Sequence, residues 1–160
     1  MKKIVLVEDS ERYIDEIIHL AITELSLQPA AFEVVRTEAE FHAGVSDWES
    51  NPPAVFVIDV MFPYMEEGSS DEHVPATIRE LASIDRFYRA GIRCVNYLRG
   101  SQSLGSVPVI IHSILDPGDL QKDPKYPVPT APNISICPKE ANGHGVIDAL
   151  ANILGIQASL

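Results

Sequence analysis

Residues 54–63 read Ala54-Val55-Phe56-Val57-Ile58-Asp59-Val60-Met61-Phe62-Pro63, and they form the most informative segment of the chain. An unbroken apolar run that ends at an acid is typical of a strand buried on both faces of a parallel sheet. The acid stands where the strand ends and a loop begins, which is where open α/β sheets place their ligands. We therefore predict that Asp59 lies at a functional edge of the sheet.

A second group of acids follows a second apolar run. Residues 3–7 read Lys3-Ile4-Val5-Leu6-Val7, and Glu8-Asp9 come directly after them. Because parallel strands end at one edge of a sheet, we expect the carboxylates of Glu8, Asp9 and Asp59 to lie together. Three carboxylates do not all stay ionised at close range without a cation, and Mg²⁺ prefers oxygen ligands. The sequence predicts a magnesium site; alternatively, Glu8 and Asp9 only stabilise a helix start.

Strand patterns and helix patterns alternate along the chain. Five strands are predicted, over residues 3–7, 32–35, 54–58, 107–111 and 134–137. Helical apolar stripes run from Ile14 to Leu25, from Ala39 to Val45, over 75–99 and over 145–154. This alternation predicts an α/β protein with a doubly wound parallel sheet. We place a single domain at 1–155 and a short tail at 156–160.

Composition narrows the class of protein. The chain has 160 residues, enough for one domain with a full core, and a formal net charge of −11. That charge repels phosphate backbones, so we expect no nucleic-acid partner. No apolar stretch approaches the roughly 20 residues of a membrane span, and the N-terminus does not read as a signal peptide. With only Cys94 and Cys137, a disulfide framework is not expected, and we predict a cytoplasmic protein.

Four pieces of sequence, each at the end of a successive core strand, carry a resemblance to a known family. They are residues 4–9, residues 58–63 with the later Gly68, residues 108–113 and residues 137–139. In this order they resemble the receiver domain of two-component response regulators, over nearly the whole chain. The resemblance implies a five-stranded flavodoxin-like (CheY-like) sheet with strand order 2-1-3-4-5.

The resemblance also implies a chemistry. Receivers take a phosphoryl group from the phosphohistidine of a histidine kinase or a histidine phosphotransfer protein, and lose it slowly to water. Asp59 would be the phosphoacceptor, with Lys139 and Ser113 contacting phosphoryl oxygens. The cofactor would be Mg²⁺, which neutralises charge in phosphoryl transfer. Its ligands would be Glu8, Asp9, Asp59 and the backbone carbonyl of Met61.

Two segments depart from the family pattern. Residues 69–90 look inserted and lengthen the third helix, while the Pro-rich segment 116–132 replaces the fourth helix. The fourth helix commonly belongs to the output surface of receivers. The lengthened helix over 75–99 is therefore our candidate surface for a downstream protein partner or a homodimer.

Three functions remain open from the sequence. The first is a phosphorylatable receiver that acts through protein–protein interaction, with no attached output domain and no enzymatic activity beyond slow autodephosphorylation. The second is a degenerate receiver that binds partners without phosphorylation; it is favoured because Pro138 precedes Lys139 instead of following it, and because Ile136 lies where an aromatic switch residue is common. The third is a metal-dependent phosphohydrolase, but a haloacid-dehalogenase-like enzyme needs a second Asp where Met61 stands.

Overall fold

A five-stranded parallel sheet forms the centre of the computed structural model, which describes residues 3–122, 127–139 and 143–156. The strand order is β2-β1-β3-β4-β5, and all four neighbouring pairs are parallel. The predicted doubly wound fold and its strand order are therefore confirmed. The strands are β1 Ile4–Val7, β2 Phe32–Val35, β3 Val55–Ile58, β4 Val109–Ser113 and β5 Ile134–Pro138.

Helices cover both faces of the sheet in the described part of the chain. The α-helices are α1 Glu11–Leu25, α2 Glu38–Ser50, α3 Ala76–Asp85, α4 Ala90–Gly100, α5 Pro117–Lys122 and α6 His144–Leu154. Short 3₁₀ turns lie at Pro29–Ala31 and Arg86–Arg89. None of these helices combines the length and the apolar character that crossing a bilayer requires.

Two apolar cores lie on opposite faces of the sheet, because successive strand residues point to opposite sides. Ile4 and Leu6 face a core built with α1 and α6. Val5 and Val7 face the other core, which is built with α2 and α4 and contains Trp48. Both faces of β1 and β3 are therefore buried, which explains why these strands read as unbroken apolar runs.

The helical stretch predicted over 75–99 is helical but not continuous. It consists of α3, the 3₁₀ turn Arg86–Arg89 and α4. The first half of α4 is buried at six consecutive residues, 90–95, whereas α3 buries only Ala82. Gly91 lets the first turn of α4 pack closely against the end of β3, because a Cβ atom there would lie 1.8 Å from the carbonyl oxygen of Asp59. The chain turns at 86–89, so that α4 docks on β3 while α3 lies outside the core.

The Pro-rich segment 116–132 is not wholly without helix, which corrects our interpretation of it. It begins with α5, a helix of 6 residues. The backbone N–H of Gly118 donates to the carboxylate of Asp116 at 2.7 Å, and Pro117 occupies the first helical position. An acidic cap followed by proline is a helix start signal. The helix after β4 is thus short but not absent, and residues 123–126 lie outside the described residues.

Candidate functional site

The carboxyl ends of β1 and β3 bring the three predicted acids together. Val7 pairs with Ile58 in the sheet register, so Glu8 and Asp59 follow at equivalent positions. The backbone N–H of Asp59 donates to the carbonyl of Val7 at 2.9 Å. Oxygen atoms of Glu8, Asp9 and Asp59 all lie within 4.8 Å of one another. Glu8 and Asp59 are buried, whereas Asp9 is exposed at the mouth of the site.

Lys139 reaches this acidic cluster from the end of β5. Its ammonium nitrogen lies 2.6 Å from Glu8 Oε2 and 3.1 Å from Asp59 Oδ2. The side chain of Lys139 is only 3% exposed. The backbone N–H of Lys139 donates to the carbonyl of Ser113 at 2.8 Å, which continues the β4–β5 ladder past Pro138. The unusual position of Pro138 therefore does not turn the lysine away from the acids.

Burial dominates the electrostatics of the two inner acids. It raises the pKa of Asp59, and the neighbouring Lys139 ammonium partly offsets this rise. It also raises the pKa of Glu8, to which the negative charge of Asp59 adds. When ionised, three carboxylates beside one ammonium ion leave two uncompensated negative charges. A divalent cation would balance them, and the all-oxygen donor set fits Mg²⁺.

Ser113 and Met61, the other predicted site residues, lie at the same edge of the sheet. Ser113 is the last residue of β4, and its buried hydroxyl oxygen accepts a hydrogen bond from the backbone N–H of Leu115 at 3.1 Å. Met61 is half-buried, two residues after Asp59. The Val60 backbone N–H donates to Asp59 Oδ1 at 2.7 Å, which orients the carboxylate. The roles of Ser113 and of the Met61 carbonyl stay predictions.

A cavity of about 370 Å³ opens beside the acidic cluster. It is lined by Asp9, Met61, Phe62, Pro63 and Phe87. Asp9 and Met61 are predicted metal ligands, while Phe87 belongs to the 3₁₀ turn between α3 and α4. The segment that looked inserted in the sequence therefore forms one wall at the entrance of the candidate site.

The loop after Asp59 is held by two helices, through contacts that sequence reasoning missed. At the start of α2, the backbone N–H of Glu38 donates to the carbonyl of Pro63 at 3.0 Å. Glu38 also forms a buried, bidentate ion pair with Arg93 of α4, with N–O distances of 2.8 and 2.6 Å. Gly91 of α4 donates its N–H to the carbonyl of Val60 at 3.0 Å. No local pattern reveals the ion pair, because its partners are 55 residues apart.

Tyr13 of α1 is a further site residue that the sequence did not reveal. The ammonium nitrogen of Lys139 lies 4.1 Å from the centroid of the Tyr13 ring. His112, buried at the end of β4, meets the same ring edge-on, with ring centroids 6.0 Å apart. Tyr13 stands only five residues after Glu8, but nothing in the local sequence links it to a lysine on the fifth strand.

Comparisons with solved structures identify the fold. No protein-family model matches the chain, and no curated protein matches it either. The receiver domain of a signal transduction histidine kinase from Syntrophus aciditrophicus is 20% identical, with a TM-score of 0.62 over 97% of this chain and 91% of that one. A chemotaxis response regulator of Vibrio cholerae is 15% identical, with a TM-score of 0.58 over 96% of this chain and 98% of the other.

A third similar structure contains a metal. It is the receiver domain of a sensor histidine kinase from Pseudomonas aeruginosa, with a magnesium ion coordinated in its active site cleft. It is 15% identical to this chain, with a TM-score of 0.58 over 96% of this chain and 98% of that one. Because such identities are low, the likeness bears on the fold alone. The chain has the fold of response regulator receiver domains.

Proposed function

We propose that this protein is a phosphoacceptor receiver of two-component signalling, in which Asp59 takes a phosphoryl group from a phosphohistidine. One observation carries the proposal. Within the receiver fold, oxygens of Glu8, Asp9 and Asp59 lie within 4.8 Å of one another, and Lys139 contacts two of these acids. A buried acid cluster with a lysine at the carboxyl edge of a parallel sheet is a site for positioning and neutralising a phosphoryl group.

The donor set of the site suits a magnesium ion. Glu8, Asp9, Asp59 and the carbonyl oxygen of Met61 would hold it, since Mg²⁺ favours oxygen ligands. When bound, the ion supplies positive charge that lets the negatively charged acceptor and phosphoryl group approach. Support comes from the uncompensated negative charge of the cluster and from the raised pKa values of Glu8 and Asp59.

The chain's own residues would then position the reaction. A carboxylate oxygen of Asp59 attacks the phosphorus, the P–N bond to the donor imidazole breaks, and an aspartyl phosphate forms. The nitrogen keeps the electron pair of the broken bond and takes a proton. Lys139 stays beside Asp59 and pairs with a phosphoryl oxygen. Because the Ser113 hydroxyl accepts from Leu115, its own proton remains available for another phosphoryl oxygen.

Intact-mass spectrometry with acetyl phosphate and Mg²⁺ tests this function. We expect a phosphoryl adduct that depends on Mg²⁺ and is absent in Asp59→Asn. Asp47→Asn is the matched control, because Asp47 is an exposed acid on α2, away from the cluster. Labelling that persists in Asp59→Asn, or that is missing in the wild type, would overturn the assignment.

The partners would be a histidine kinase or a histidine phosphotransfer protein as donor, and a second protein downstream. For the downstream partner we propose the segment 76–89. It exposes Ile84, Phe87 and Tyr88 by 63%, 44% and 57%, and the last two rings are stacked with centroids 4.4 Å apart. Adjacent exposed apolar side chains of this kind favour a protein contact. The homodimer hypothesis is tested by sedimentation of the wild type and of Phe87→Ser, each with and without beryllofluoride.

A second candidate function is a binding module that does not use phosphorylation. It is favoured by the six-residue length of α5 and by Ile136 on β5, where the family often has an aromatic switch. Hydrogen exchange separates the two candidates. If beryllofluoride binds together with Mg²⁺ but changes amide hydrogen exchange neither at residues 113–122 nor at 76–89, the phosphorylation-independent binding module is favoured.

A further inference from the structure

All the oxygens of the two buried acids already have partners in the structure. On Glu8, Oε1 accepts from the backbone N–H of Ser10 at 3.0 Å, and Oε2 contacts Lys139 at 2.6 Å. On Asp59, Oδ1 accepts from Val60, and Oδ2 contacts Lys139. A cation that binds both acids would compete with these donors for the carboxylate oxygens, and its positive charge would repel the Lys139 ammonium ion. The lysine is the mobile one, because it is a point charge on a flexible stem, whereas Ser10 and Val60 offer backbone N–H groups.

The ring of Tyr13 offers the displaced ammonium ion a second partner. The ammonium nitrogen lies 4.1 Å from the ring centroid, well within the range over which a cation is attracted to an aromatic face. The attraction is strengthened because the lysine side chain is only 3% exposed. His112 contacts the same ring edge-on and is itself buried in β4, so the ring is braced from the sheet.

We propose that Tyr13 is a positioning residue for Lys139: its ring face keeps the ammonium ion at the acidic cluster when a cation takes over Glu8. The lysine then stays where a phosphoryl group on Asp59 would need it. This inference rests on the proposed function. The proposal predicts different effects on two affinities. The ring acts on the lysine that contacts the phosphoryl group, so the affinity for a phosphoryl analogue depends on the ring. The affinity for Mg²⁺ does not, because the ring does not act on the metal ligands.

Calorimetry of five proteins tests the proposal: the wild type, Tyr13→Leu, Tyr13→Phe, Lys139→Met, and the double variant Lys139→Met with Tyr13→Leu. Two affinities are measured, for Mg²⁺ alone and for beryllofluoride at saturating Mg²⁺. Tyr13→Leu keeps an apolar side chain but removes the ring, and we expect beryllofluoride binding to weaken about tenfold with no loss of Mg²⁺ affinity. Tyr13→Phe keeps the ring and should restore the binding. In the Lys139→Met background, Tyr13→Leu should have no further effect.

The proposal is overturned if Tyr13→Leu binds beryllofluoride as the wild type does. It is also overturned if both affinities fall together, or if the loss persists without Lys139, since either result indicates a general structural role. A wild type that binds no beryllofluoride would refute the proposed function instead. The NMR signals of the Lys139 ε-CH₂ group in metal-free protein then decide: an upfield ring shift that Tyr13→Leu removes and Tyr13→Phe keeps supports the positioning, and its absence in the wild type overturns it.

Discussion

Replacing Gly91 by alanine probes how closely α4 is docked on the strand that carries Asp59. The new Cβ would lie 1.8 Å from the Asp59 carbonyl oxygen, whereas Cβ atoms essentially never come within 3.0 Å of another atom. The helix and the loop must therefore separate by the difference, 1.2 Å. That movement also stretches the hydrogen bond from the Gly91 N–H to the Val60 carbonyl, now 3.0 Å long.

The expected cost follows from these two effects. Overpacking a dense core lowers stability by about 1–3 kcal/mol. Breaking the buried hydrogen bond between the Gly91 N–H and the Val60 carbonyl lowers it by about 1–3 kcal/mol more. Alanine has a higher helix propensity than glycine, which offsets this loss by about 1 kcal/mol. We expect Gly91→Ala to lower the free energy of unfolding by about 3 kcal/mol. Phosphorylation of Asp59 should also fall, because its peptide group is the one displaced.

Urea unfolding followed by the fluorescence of buried Trp48 measures the change. Gly100→Ala is the matched control, because Gly100 ends the same helix and a Cβ there meets no atom within 4 Å. The free energy of unfolding of Gly100→Ala should stay within about 1 kcal/mol of the wild-type value. If Gly91→Ala proves as stable as Gly100→Ala, then α4 does not approach Asp59 as closely as described, and the reasoning fails.

Two further predictions concern buried charges. Glu38→Gln should lower the free energy of unfolding by about 3–5 kcal/mol, because the buried Arg93 guanidinium loses its bidentate ion pair with Glu38; in urea unfolding, a loss below 1 kcal/mol would contradict this. Burial, with a smaller effect of Arg93, lowers the pKa of His42 from 6.5 to about 4. The neutral imidazole therefore stabilises the fold above pH 6.5, and this contribution is lost as the pH falls towards 4. His42→Leu should reduce the stability lost between pH 7 and pH 5 by about 2 kcal/mol, and an unchanged pH profile would argue against it.

The sheet and the acid cluster could be predicted because their signals are local. The runs before Glu8 and Asp59 are short and apolar without alternation, which is typical of strands covered on both faces. Once two such strands are parallel neighbours, the acids that follow them must meet. The start of α5 was equally readable, since Asp116-Pro117 is a helix start signal, but the prolines beyond it led us to expect no helix there.

The remaining features depend on contacts between distant parts of the chain. The close approach of Gly91 to the Asp59 carbonyl is one of them, and an apolar pattern at helical spacing reveals neither this approach nor the 3₁₀ turn at 86–89. The ion pair of Glu38 with Arg93 and the contact of Tyr13 with Lys139 each join residues far apart in sequence. For charged or aromatic side chains, local sequence sets which partners are chemically suitable, but the topology decides which one is reached.

The close approach of Gly91 to Asp59 gives the proposed phosphoacceptor a short connection to the protein surface. The carbonyl of Asp59 touches the first turn of α4, and that turn follows directly on the exposed rings of Phe87 and Tyr88. A tilt of the peptide plane at Asp59 would change the packing against the first turn of α4 and thereby shift this helix. We therefore expect phosphorylation of Asp59 to change the structure at 86–89, even though β5 carries no aromatic switch and α5, the helix after β4, is short.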